Sequence, residues 1–112
     1  MKTIEMRISE LQPGDYLSSS SQRYLSRFST SEILELEDIH VYDTITGKVI
    51  FDGNNKTRVL QDRGHSTVNV NYLEKSEIPP FIEQEVEDVL ALVENLRRYG
   101  IYSVTDNKVD EA

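Results

Sequence analysis

The sequence predicts an α+β fold: a small antiparallel β-barrel or rolled sheet, followed by one long C-terminal α-helix. Three observations carry this. Up to residue 72, short apolar runs alternate with polar residues and are broken by Gly, Pro and Asn clusters, the pattern of strands joined by tight turns. At Pro79-Pro80 that pattern stops. From Ile82 to Leu96 apolar residues recur at spacings of 4, 3, 4 and 3, the period of one helix face.

The elements follow in order. "MRIS" is a strand, with Ile4, Met6 and Ile8 alternating. In "LQPGDYL", Pro13 presets φ for a turn, Gly14 permits it, and Tyr16 and Leu17 restart a strand. Four serines follow, Ser18 to Ser21, and read as a mobile loop between two β segments. "QRYLSRF" fits a strand or a short helix. In "STSEILELEDIHVYD", Ser29 or Ser31 offers a helix cap. Leu34, Leu36, Ile39 and Val41 instead alternate with one slip, which a β-bulge would explain. Residues 33–42 are therefore read as mainly strand. "DTITGKVIFDG" is a hairpin turning at Thr46-Gly47. "DGNNK" is a further turn, "TRVLQ" a strand, and "STVNVNYL" a strand with Val68, Val70 and Tyr72 on one face.

The helix is placed at residues 80–99, with proline in its first turn. Its acids Glu83, Glu85, Glu87 and Asp88 come early and Arg97 and Arg98 late, as the helix dipole favours. Gly100 ends it. Residues 106–112 are expected to be a disordered tail. The whole of 1–112 is read as a single domain, with 1–72 as its β part.

"ISELQPGDYL" resembles the opening of small prokaryotic and phage SH3-like β-barrel proteins, in which an L-x-P-G-D turn feeds the first barrel strand. The resemblance covers these ten residues. It implies a binding role, and no catalytic residue is carried over from it.

Composition narrows the function. The chain is 38% hydrophobic and 29% charged, enough apolar residue to fold and unlike a disordered chain. Cysteine is absent, which removes disulfide and thiolate chemistry and fits a reducing compartment. The apolar runs fall short of the roughly 18 residues of a membrane span, and the start has no signal-peptide core. The expected location is the cytoplasm of a bacterium or of a phage-infected host. The net charge is −8. Residues 1–72 hold 10 acids and 8 bases, and residues 73–112 hold 10 acids and 4 bases. This acidity argues against duplex DNA as a partner.

No catalytic constellation is visible, and the chain is expected not to be an enzyme. His40 and His65 match no metal-ligand spacing, and no cofactor or metal is expected. The carboxylate pairs Glu83/Glu87 and Glu85/Asp88 read as a solvated helix face. The leading expectation is a small regulatory protein acting through protein–protein contacts, as a homodimer. Its interface would use Leu90, Leu92, Leu96 and Tyr99. The alternative is a small anionic ligand or nucleotide held by the Ser18–Arg27 loop. Hydroxyls and guanidinium groups suit an anion, which selects Ser19, Ser20, Ser21, Arg23, Tyr24, Arg27, Arg58 and Arg63. A third expectation is single-stranded nucleic acid, from Tyr16, Tyr24, Phe28, Tyr42, Phe51 and Tyr72 interleaved with those arginines.

Overall fold

The computed structural model describes residues 2–36 and 38–109. The chain runs through β1 (Lys2–Arg7), a 3₁₀ turn at Ile8–Glu10, β2 (Gln12–Pro13), α1 (Ser19–Ser26) and α2 (Thr30–Glu35). It continues through β3 (Ile39–Thr44), β4 (Gly47–Asp52), α3 (Asn54–Asp62) and β5 (Thr67–Leu73). Two 3₁₀ turns, Lys75–Glu77 and Pro80–Ile82, lead into α4 (Glu83–Arg98). The strands form one sheet in the order β1-β5-β3-β4-β2.

The α+β class and the long C-terminal helix are as the sequence predicts. The sheet, however, is mixed and open, with β1 and β2 at its edges. β1 pairs with β5 and β3 with β4 antiparallel, while β3 runs parallel to β5 and β2 parallel to β4. A parallel pair needs a crossover, and helices supply it. The region read as the strand "TRVLQ" is the helix α3. Strand formation in 33–42 holds only from Ile39. Before it, Ser29 nucleates α2 through a reciprocal capping box: Glu32 N donates to Ser29 Oγ at 3.2 Å and Ser29 N donates to Glu32 Oε1 at 3.0 Å. The slip between Leu36 and Ile39 that suggested a bulge falls ahead of β3 and outside any strand, while the β3–β4 register shifts at His40/Val41.

The serines are a second correction. Ser18 caps α1, its Oγ accepting from Ser21 N at 3.4 Å, and Ser19–Ser21 form the first turn. Serine favours an N-cap because its hydroxyl satisfies an amide that has no helical acceptor. The chain bends at Gly14-Asp15. Pro13 lies in β2, opposite Ile50. A Cβ on Gly14 would sit 2.2 Å from the Ile50 carbonyl oxygen, so only glycine allows this approach.

Strand alternation sorts the core into two layers. Met6, Val68, Val70, Ile39, Val41 and Ile50 meet Leu25, Ile33, Val59 and Leu60 of α1–α3 in one cluster. On the other face Tyr42 and Phe51 stack with centroids 4.1 Å apart. They share a groove with Glu85, Asp88 and Val89 of α4. α4 begins at Glu83, after the 3₁₀ turn that holds Pro80, and it buries Val93 and Leu96. Beyond it the chain returns to the first face, where Val104 joins the main cluster. Val109 bridges to Leu17 and Asn107 is 4% exposed. The expected disorder therefore does not hold for residues 106–109, and the rest of that tail, 110–112, lies outside the described residues. No helix among the described residues is long and apolar enough to cross a membrane.

Candidate functional site

α1 and α3 each begin beside the other. Gly53, with φ +93, ends β4 and opens α3 without a side-chain cap. A Cβ there would press on Ile39 at 3.0 Å, which keeps this turn bare. Asn54 and Asn55 then divide the work. Asn54 is buried, accepts from Gly14 N at 3.1 Å and donates to Ile50 O at 3.2 Å. Asn55 Oδ1 accepts from Ser18 N at 2.9 Å and from Gln22 Nε2 at 3.0 Å. Asn55 thereby fixes the first turn of α1 against that of α3.

A cavity of about 380 Å³ opens at this junction, lined by Ser21, Tyr24, Leu25 and Leu36 on one side and Asp52 to Lys56 on the other. Lys56 is 9% exposed. Its Nζ donates to the carbonyls of Leu34 at 3.5 Å and Leu36 at 3.4 Å, where the end of α2 favours a cation. Tyr24 is 54% exposed and meets Phe28 edge-on, centroids 5.0 Å apart. The cavity thus combines two helix first turns, whose amides carry partial positive charge, with an ammonium and an exposed ring. Among the described residues, Asp52 is the one acid on its lining.

Of the eight residues the sequence singled out for a ligand, Ser21 and Tyr24 line this cavity. Ser19 and Ser20 are exposed on the first turn of α1, and Ser20 Oγ lies 2.9 Å from Ser18 Oγ. Arg23 is exposed, and Arg27 caps the far end of α1. Arg58 bonds Asp62 and the carbonyls of Val104, Thr105 and Asn107. Arg63 ends α3 and donates to Thr30 Oγ1 at 3.2 Å. None of the four arginines lines the cavity. Sequence reasoning missed Gly53 to Lys56, which it took for a plain turn. A usable signal was present: a glycine directly after a strand, then Thr57 and Leu60 at helical spacing.

Other expectations are placed as follows. Leu96 is fully buried, so it belongs to the core and not to an interface. Leu90 and Leu92 are half-buried and Tyr99 is exposed. His40 pairs across from Asp52, ahead of α3, while His65 follows α3, so the two lie at opposite ends of that helix. Among the described residues no group of His, Asp or Glu could hold a metal ion. Of the six aromatics weighed for nucleic acid, only Tyr24 is exposed. Burial, then the nearby Glu85 and Asp52, raise the Tyr42 phenol above its usual range.

No family model and no curated protein matches the chain. Among solved structures it is similar to the crystal structure of protein Atu1540 from Agrobacterium tumefaciens. The match covers 98% of this chain with a TM-score of 0.60 and 15% identity. The chain spans 63% of that protein's length. At this identity the likeness shows the fold alone.

Proposed function

We propose that this chain is a binding protein, not an enzyme, and that it holds a small phosphate-bearing anion between the first turns of α1 and α3. The observation that carries the reading is the convergence on one cavity of the first turns of α1 and α3, the latter without a side-chain cap, with the Lys56 ammonium in its wall. Backbone amides and a cation together are what an anion requires. Tyr24 at the rim offers a face on which a nucleotide base can stack.

Calorimetry with pyrophosphate, the four common nucleoside triphosphates and a short DNA single strand tests it. Binding by the phosphates is expected to weaken as salt rises. The informative variant is Asn55→Asp. It keeps the acceptor for Ser18 N and Gln22 Nε2 but sets a negative charge in the cradle. A loss of about tenfold or more is expected from like-charge repulsion. No heat from any phosphate would remove the reading, and unchanged affinity in Asn55→Asp would remove this location.

A second reading, self-association, rests on Ile45. It is 80% exposed at the hairpin tip and lines a groove with Leu90 and Ala91 of α4. Together with Leu90 and Ala91 it forms an apolar strip that a second copy of the chain would cover.

A further inference from the structure

After Gly100 the chain leaves α4 and crosses to the two helices that frame the cavity. Ile101 N donates to Leu96 O at 3.0 Å, and Val104 enters the core at 2% exposure. On one side the segment is bonded to α3. Arg58 Nη1 donates to the carbonyls of Val104, Thr105 and Asn107 at 3.2, 3.3 and 2.6 Å, and Gln61 Nε2 donates to Thr105 Oγ1 at 2.9 Å. On the other side it is bonded to the entry of α1. Leu17 N donates to Lys108 O at 3.0 Å, and Asn107 Nδ2 donates to Asp15 O at 3.0 Å. Ser18, the cap of α1, is the next residue.

We infer that Ile101–Val109 is a latch that sets the position of the first turn of α1 against that of α3, with Arg58 as its positioning residue. Docked, it holds Asp15–Leu17 to α3 from outside while Asn55 holds Ser18 from inside. Undocked, it leaves Asn55 and side-chain packing as the ties between the two turns. A ligand that needs both turns then favours the docked state, and by reciprocity docking favours the ligand. That second step rests on the phosphate reading above. It also gives the segment a use: a protein that competes for its backbone would release the ligand.

Hydrogen exchange read by NMR on the full chain tests the latch without any ligand. In Arg58→Gln, and in the milder Asn107→Ala, the amides of Val104 to Val109 are expected to exchange about tenfold faster, the effect of losing a bond to a charged group. The amides of Ser18, Gln22 and Thr57 bond outside the segment, to Asn55, Ser18 and Gly53. They should accelerate with it, while Ile4 and Val70 in the sheet keep their rates. If Ser18, Gln22 and Thr57 keep wild-type rates while the segment opens, the latch is overturned and the segment is only a surface strap. With pyrophosphate added to wild type, slowing is expected both at Ser18 and through the segment. Slowing at Ser18 alone overturns the coupling. Slowing nowhere overturns the phosphate reading, and the ligand-free comparison still decides the latch.

Discussion

Asn54 shows how much one side chain can fix. It is 8% exposed and supplies both an acceptor for Gly14 N and a donor for Ile50 O. Only an amide of this length does both. Asn54→Ala strands two buried backbone groups and should cost about 2–4 kcal/mol, read from urea denaturation, at about 1–3 kcal/mol for each unpaired group. Gly14→Ala attacks the same joint by steric overlap with Ile50 O and should cost at least about 1–3 kcal/mol. At the surface, the Ser29 backbone N–H and then its hydroxyl hold the Glu32 carboxyl below its ordinary 4.5. A depressed folded value means that the contribution is complete above 4.5 and lost as pH falls through the folded pKa. The wild type should therefore lose more of its urea midpoint between neutral pH and about pH 3 than Glu32→Gln does. Equal losses in both proteins would mean that the charge on Glu32 adds nothing to the capping box.

At the scale of elements, α2 offers a sharp contrast. As a helix it points Ile33 inward at 0% exposure and leaves Leu34 52% exposed. Ile33→Ala should cost about 2–4 kcal/mol and Leu34→Ala less than about 0.5; the strand that the sequence suggests would bury Leu34 instead. The elements legible in the sequence were those whose signals are local. The β3–β4 hairpin is set by Thr46-Gly47 between alternating apolar residues, and α4 by a stripe long enough to count. α3 was hidden because its nine residues bury Thr57 and Lys56 beside Val59 and Leu60, so its inward face is half polar and shows no apolar stripe. The parallel pairings were illegible for a different reason. They depend on which strands the helices carry past one another, and no short window contains that. The site suffered twice over: the serines looked like loop because serine serves caps and loops equally, and the arginines drew attention by charge although geometry assigns them to structure.

For the molecule as a whole, the layers divide the labour. The face that carries α1–α3 and the latch holds the cavity, while the face that carries α4 holds the exposed apolar groove. Self-association should therefore be separable from ligand binding. In sedimentation velocity the wild type is expected to run as a dimer and Ile45→Glu as a monomer, with pyrophosphate affinity unchanged. A wild type that stays monomeric across the concentration range removes the dimer and leaves the cavity untouched. The outermost pairing of the sheet bears on how this object is made. Lys2 lies opposite Tyr72 and Arg7 opposite Thr67, so β1 is synthesised about sixty residues ahead of the strand it pairs with. Such distant pairings close slowly. Until translation has passed Leu73, Ile4 and Met6 lack their partner strand, and a nascent chain stalled before Thr67 would present that strand to chaperones or to a neighbouring nascent copy.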